Sequence, residues 1–191
     1  MRTATVTRKT NETDITLTLC LDGGAASIST GLGFFDHMLE QLSRHGGMGL
    51  ELRCRGDLHV DGHHTVEDVG LALGEALKSA LGDKKGIERY GSALTPMDEA
   101  LILCAVDLSG RPCLRYTAQI PSARVGDFDT ELAREFMQAL ANSAGMALHL
   151  RQLDGENSHH IIEAMFKALG RALSEAAEIV GTEVPSTKGV L

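Results

Sequence analysis

Apolar and polar residues alternate from Thr3 to Arg8 and again from Ile15 to Leu21. A period of two predicts strands, with Gly23-Gly24 as the turn that follows. The period then changes. Phe34, Phe35, Met38, Leu39 and Leu42 fall on one helical face until Gly46-Gly47 ends the run, and a strand follows from Gly49 to Arg55. Beyond a polar loop, Val66, Val69, Leu73, Leu77 and Ala80 line an amphipathic helix that stops at Gly82. The first half is thus predicted as β-β-α-β-α. The second half repeats that order: strands at Ala100 to Asp107 and Cys113 to Thr117, a helix around Phe128 to Ser143, a strand at Met146 to Gln152 and a helix from Ser158 to Val180.

More than the order repeats. Gly47, Met48, Leu50, Leu52 and Arg53 recur as Gly145, Met146, Leu148, Leu150 and Arg151 at a shift of 98 (145 minus 47). His63, His64, Glu67, Leu73, Gly74, Ala76 and Leu77 recur as His159, His160, Glu163, Leu169, Gly170, Ala172 and Leu173 at a shift of 96 (159 minus 63). The two-residue loss falls in the loop before the second motif, so the register points to an internal duplication. The expectation is an α+β fold in which two halves, about 1–88 and 89–184, each form an antiparallel-type sheet covered by helices on one face. Together they would make one pseudo-two-fold domain over 1–191, ending in a C-terminal tail.

Composition narrows the class. Of 191 residues, 43% are hydrophobic and 23% charged, an ordinary globular balance rather than a disordered one. The net charge of -8, without any Lys/Arg run, argues against nucleic acid as a partner. Cys20, Cys54, Cys104 and Cys113 stand singly, which disfavours a zinc ribbon or redox dithiol and predicts buried, reduced thiols. No apolar stretch approaches a membrane span, so the expected location is the cytosol.

The chemistry sits in the repeated His-His-x-x-Glu: His63, His64 and Glu67, then His159, His160 and Glu163. Positions three apart share a helix face, which pairs His64 with Glu67 and His160 with Glu163. Adjacent residues diverge by about 100°, so His63 and His159 are expected to reach across to the other half's site. The duplication also nominates Glu135, which stands in the register of His37 (135 minus 37 is 98). One expected ligand set is His37, His64, Glu67 and His159, and the other is His63, Glu135, His160 and Glu163. Imidazole and carboxylate without thiolate suit Mn²⁺, Fe²⁺ or Zn²⁺, and four donors leave open positions for substrate or water. His45, eight residues beyond His37, falls on roughly the same face and is a candidate for touching substrate. A dinuclear metallohydrolase and a non-catalytic metal-storage protein are the alternatives in other classes.

Phe34-Phe35-Asp36-His37-Met38-Leu39, His63-His64-Thr65-Val66-Glu67-Asp68, Ser109-Gly110-Arg111-Pro112, Asn157-Ser158-His159-His160-Ile161-Ile162-Glu163 and Pro185-Ser186-Thr187-Lys188-Gly189 together resemble the imidazoleglycerol-phosphate dehydratases of histidine biosynthesis. The likeness runs nearly end to end. It implies a duplicated fold like ribosomal protein S5 domain 2, two Mn²⁺ per active site, and a homo-oligomer of 24 subunits with sites at their interfaces. It implies a hydro-lyase acting on D-erythro-imidazoleglycerol phosphate, a phosphorylated imidazole, to give imidazole acetol phosphate. Glu12 matches the family's active-site glutamate and becomes the candidate acid/base, with His45 beside it as a catalytic candidate. Arg89, Arg111, Ser186, Thr187 and Lys188 match positions that hold phosphate, and Gln41, His45 and Lys167 match further substrate contacts. One position departs from the pattern: Glu135 stands where many members carry His.

Overall fold

The computed structural model describes residues 1–189; the last two residues of the expected domain, 190 and 191, lie outside the described residues. β1 (Thr3–Lys9) and β2 (Thr13–Cys20) form an antiparallel hairpin, and β2 continues antiparallel onto β4 (Gly49–Gly56). A short strand, β3 (Ala26–Ser29), pairs parallel with the other side of β4. α1 (Gly33–Gly46) bridges β3 to β4, since parallel neighbours need a crossover, and α2 (His63–Leu81) follows β4. The second half repeats the arrangement. β5 (Tyr90–Met97), β6 (Ala100–Asp107), β10 (Ala147–Asp154) and β7 (Cys113–Thr117) lie side by side in that order, with β7 parallel to β10. α3 (Leu132–Ala144) and α4 (Ser158–Ala177) correspond to α1 and α2.

The α+β class and the two similar halves therefore stand, with one strand in each four-stranded sheet, β3 and β5, beyond the predicted order. The sheets are mixed rather than antiparallel throughout, because each half closes with its crossover strand at one edge. β3 is only four residues of small and polar character around Ile28, and β5 hides its alternation behind Gly91 and Pro96. The helix expected from Phe128 begins at Leu132 instead. A two-residue hairpin, β8 (Arg124–Val125) with β9 (Phe128–Asp129), turns at Gly126 (φ +60°) and sends the Phe128 ring into the core. The last helix stops at Ala177, short of Val180, where Ile179 bridges to Ile87.

The helices meet across the halves, α1 against α4 and α2 against α3, so they form the layer between the two sheets. Phe35, Phe128, Phe136 and Phe166 are all fully buried there, with ring centroids 5.1 to 5.9 Å apart along the chain of contacts. Gly47 and Gly145 end α1 and α3 in the left-handed region (φ +62° and +66°), which marks the duplication register in the backbone itself. Cys54 and Cys104 are buried and their thiols pushed up to about 12 by that burial. Cys20 is half-buried and Cys113 is exposed, contrary to the expectation of buried thiols, because Cys113 lies on the outward side of the edge strand β7. Among the described residues no helix is long and apolar enough to cross a membrane.

Candidate active site

The start of α4 is fixed by its own sequence. The Asn157 side chain accepts from the backbone N–H groups of His159 and His160, which caps the helix and sets both imidazoles at its first turn. His159 Nε2 then lies 2.9 Å from Glu163 Oε2, one turn further on. α1 brings His37 from the other half, with Nε2 3.5 Å from the same oxygen. One donor atom from each of His37, His159 and Glu163 lies within 4.8 Å of the others, a group that could hold a metal ion. Phe34 packs edge-on against the His159 ring at 5.1 Å and restrains its plane.

Glu163 divides its oxygens. Oε2 faces the two imidazoles while Oε1 accepts from Lys167 Nζ at 2.7 Å. Burial by itself would raise this carboxyl, but the hydrogen bonds from Lys167 and His159 outweigh it and hold the pKa below the usual value. Glu163 is therefore a buried carboxylate whose ionised form its neighbours favour. The donor set fits a divalent ion that accepts imidazole and carboxylate together.

In α2 the corresponding pair is looser: His63 Nε2 lies 3.9 Å from Glu67 Oε2, and both side chains are more exposed. The spacing rule points to the second histidine of each motif. In the folded chain it is the first, four residues before the glutamate, that faces it. On a helix of 3.6 residues per turn, four positions leave the side chains about 40° apart, whereas three leave them about 60° apart. The expected sets are regrouped accordingly, with Glu163 beside His37 and His159 and Glu67 beside His63. Glu135 pairs with Arg134 at 3.2 Å rather than with either member of the α2 pair.

The second histidines face elsewhere. His64 Nδ1 donates to Asp57 at 3.0 Å while its Nε2 lies 3.7 Å from Glu12. His160 Nδ1 donates to Glu99 at 2.8 Å, with Nε2 3.6 Å from Asp98. Hydrogen bonding to Asp57 raises the His64 pKa, and the Glu99 bond does the same for His160. Glu99 is correspondingly driven down to about 2, by His160 first and then by the backbone N–H of Asn157.

A third place gathers the predicted phosphate groups. Arg89, Arg111, Ser186, Thr187 and Lys188 line one groove together with Tyr90 and Pro185. Arg89 sits in the left-handed region (φ +73°) and grips the Asp107 carboxylate through Nε (2.8 Å) and Nη2 (3.3 Å). Its Nη1 donates to the Pro185 carbonyl at 2.9 Å, which ties the tail to the groove. Gln41 and His37 line a cleft along α1, whereas His45 lines a different one with Arg2, Asp22 and Arg171. Partial burial pushes the His45 pKa down, and Lys167, Arg171 and Arg44 add to it.

A family model described as Imidazoleglycerol-phosphate dehydratase matches residues 30–173, from before α1 almost to the end of α4. The chain belongs to the imidazoleglycerol-phosphate dehydratase family. It is a hydro-lyase. The dehydratase of Jannaschia sp. (strain CCS1) is 57% identical over 195 residues and that of Lachnoclostridium phytofermentans 57% over 191, covering all of this chain and 100% and 95% of theirs. Among solved structures, the dehydratase of Staphylococcus aureus superposes with a TM-score of 0.84 at 37% identity, covering 94% of this chain and 99% of that one. The Pyrococcus furiosus enzyme in complex with (S)-C348 gives 0.85 at 38%, covering 97% and 100%. The dehydratase motifs pick out the histidines and the tail, but not Asp57, Asp98, Glu99 or Asp107. Asp57 stands next to the Gly56 that ends β4, and Asp98 and Glu99 form the β5–β6 turn; their only sequence signal is an acidic residue at a strand end.

Proposed function

We propose that this dehydratase removes water from D-erythro-imidazoleglycerol phosphate to give imidazole acetol phosphate, in histidine biosynthesis in the cytoplasm. The observation that supports this reading most directly is the convergence of His37, His159 and Glu163 on one point, from α1 and α4 of opposite halves. His64 and His160 carry ring nitrogens outside that group, and Glu12 and the phosphate groove lie apart from it. Among the described residues no side-chain hydrogen bond or ion pair joins the His37, His159 and Glu163 group to His64, His160, Glu12 or the groove. A complete site therefore calls for several copies of the chain, and a homo-oligomer of 24 subunits is the proposed assembly. The whole chain then acts as one dehydratase unit of two repeats, dividing near residue 88, with the tail as a substrate-binding segment.

In this reading His37, His64, His159 and Glu163 form one set and His63, Glu67, Glu135 and His160 the other, and together they would hold two Mn²⁺ per site, Fe²⁺ and Zn²⁺ being acceptable to the same donors. Bound there, such ions would supply positive charge to the substrate's imidazole and ease loss of its ring proton. The protein's own groups do the rest. Arg89, Arg111 and Lys188, with the Ser186 and Thr187 hydroxyls, fix the phosphate. Gln41 and Lys167 orient the ring end. Dehydration then breaks the C–O bond at the side-chain carbon next to the ring and the C–H bond at the following carbon. Glu12 Oε1 carries the proton between these positions, and His45, whose pKa is lowered by partial burial and nearby cations, is the second acid/base candidate, on a separate cleft of the single chain. The enol left behind becomes the ketone by proton transfer.

The test is conversion of imidazoleglycerol phosphate by the purified protein before and after metal removal. Turnover should vanish with chelation and return with Mn²⁺. Undiminished turnover by metal-free protein would overturn the metal reading, and no turnover with any of the three metals would overturn the substrate.

A further inference from the structure

The two second histidines share a feature that the duplication did not supply. His64 Nδ1 faces Asp57 at 3.0 Å and His160 Nδ1 faces Glu99 at 2.8 Å. The two carboxylates do not correspond in sequence. Asp57 follows β4, and the register of 98 puts Gly155 at its place in the second half (57 plus 98), while the register of 96 puts Leu153 there (57 plus 96). Neither has a side chain that can accept a hydrogen bond. Glu99 comes instead from the β5–β6 turn, the counterpart of the β1–β2 turn that carries Glu12. The halves have thus reached one contact by two routes, which a leftover of duplication would not explain.

Imidazole can donate its lone pair from Nε2 only when its proton sits on Nδ1. A carboxylate on the Nδ1–H fixes that tautomer, sets the ring's rotation about the side chain and makes Nε2 a better donor. We propose that Asp57 and Glu99 are positioning residues for the metals, each presenting Nε2 of its histidine outward as the ligating atom. This rests on the reading of His64 and His160 as ligands. Glu99 also anchors backbone: Oε1 accepts from the N–H groups of Glu156 and Asn157, at 3.2 and 2.8 Å, so one carboxylate holds both the histidine and the loop that begins its helix. Its side chain is 38% exposed, where an ion pair adds little to folding stability, so the contact is better explained by what it does to the histidine.

The experiment is Mn²⁺ affinity by competition with a colorimetric chelator, together with thermal unfolding of each metal-free variant. Asp57→Ala and Glu99→Ala should each weaken Mn²⁺ binding about 10- to 100-fold at one of the two sites, with unfolding of the metal-free protein little changed. Asp57→Asn keeps an oxygen that can accept the Nδ1–H of His64, since both Asp57 oxygens face that nitrogen, and should recover most of the affinity. Loss of affinity in the alanine variants matched by an equal fall in metal-free stability, with no recovery in Asp57→Asn, would make the role structural and overturn the proposal. Wild-type affinity in both alanine variants, while His64→Ala and His160→Ala lose metal, would overturn it and leave the ligand reading intact. Wild-type affinity in the two histidine variants would remove the ligands themselves, and the proposal with them.

Discussion

Glu135 and His37 occupy equivalent places on α3 and α1, yet their surroundings differ. His37 has His159 and Glu163 within reach, while Glu135 is paired with the adjacent Arg134 and is about one-third exposed. A residue that only decorated α3 could be replaced at a cost of about half a kcal/mol or less. As a ligand it predicts something different: Glu135→Ala should leave about one Mn²⁺ per chain rather than two, with turnover collapsing, while the His37 group stays filled. Glu135→His should hold both ions, since imidazole serves the same metals and fills this position in the other half. Metal analysis beside turnover decides it; two ions and full activity in Glu135→Ala would sink the assignment. The nomination of Glu135 and His37 is available from the register alone. The pairing inside each motif is harder to read, because spacings of three and four both put a histidine on the glutamate's face, and only the folded chain shows that the closer, i,i+4 alignment is the one used while the second histidine turns to another carboxylate.

Among the elements, the helices are the most legible, since each carries a continuous apolar stripe. What the stripe hides is that these helices are buried on two sides, toward their own sheet and toward a helix of the other half. The duplicated glycines show how close that second contact is. A methyl on Gly170 would lie 2.5 Å from the Leu42 carbonyl oxygen and 2.9 Å from the Gly46 nitrogen, and one on Gly74 would lie 2.8 Å from the Leu140 carbonyl oxygen. These are backbone atoms, so relief requires the helices to move apart. Alanine gains about 1 kcal/mol of helix propensity over glycine, and overpacking a tight contact costs about 1 to 3 kcal/mol. The clash should win. Gly170→Ala is expected to lower the Tm of the metal-free protein by a few degrees; an unchanged or higher Tm would show that α1 and α4 can separate freely. The same close packing explains why β5 is hard to read in the sequence. A methyl at Gly91 would fall against the backbone of α4 at Ala172 and Ala176, so the inward face of the strand uses small residues and loses the apolar half of its alternation.

At the scale of the whole molecule, the duplication is readable because seven identities in the motif region and five before it keep one register each. How the halves pack is not, for no local pattern says which helix meets which. Their packing brings α1 of one half to α4 of the other, and so builds the His37, His159 and Glu163 group out of both repeats. The second histidines point away from that group, toward the ends of the β1–β2 and β5–β6 turns. If His64 and His160 complete sites on neighbouring copies, metal binding and association are one equilibrium, and each bound ion stabilises the assembled state by mass action. Removing metal should then shrink the particle, and restoring Mn²⁺ should rebuild it, as read by sedimentation velocity at fixed protein concentration. The effect should be sharper for His160→Ala than for a change at Lys188, since one removes a bridge between copies and the other only a phosphate contact. A particle whose size ignores full metal removal would break the link between the two, and would leave the dispersed histidines without the partner that the single chain lacks.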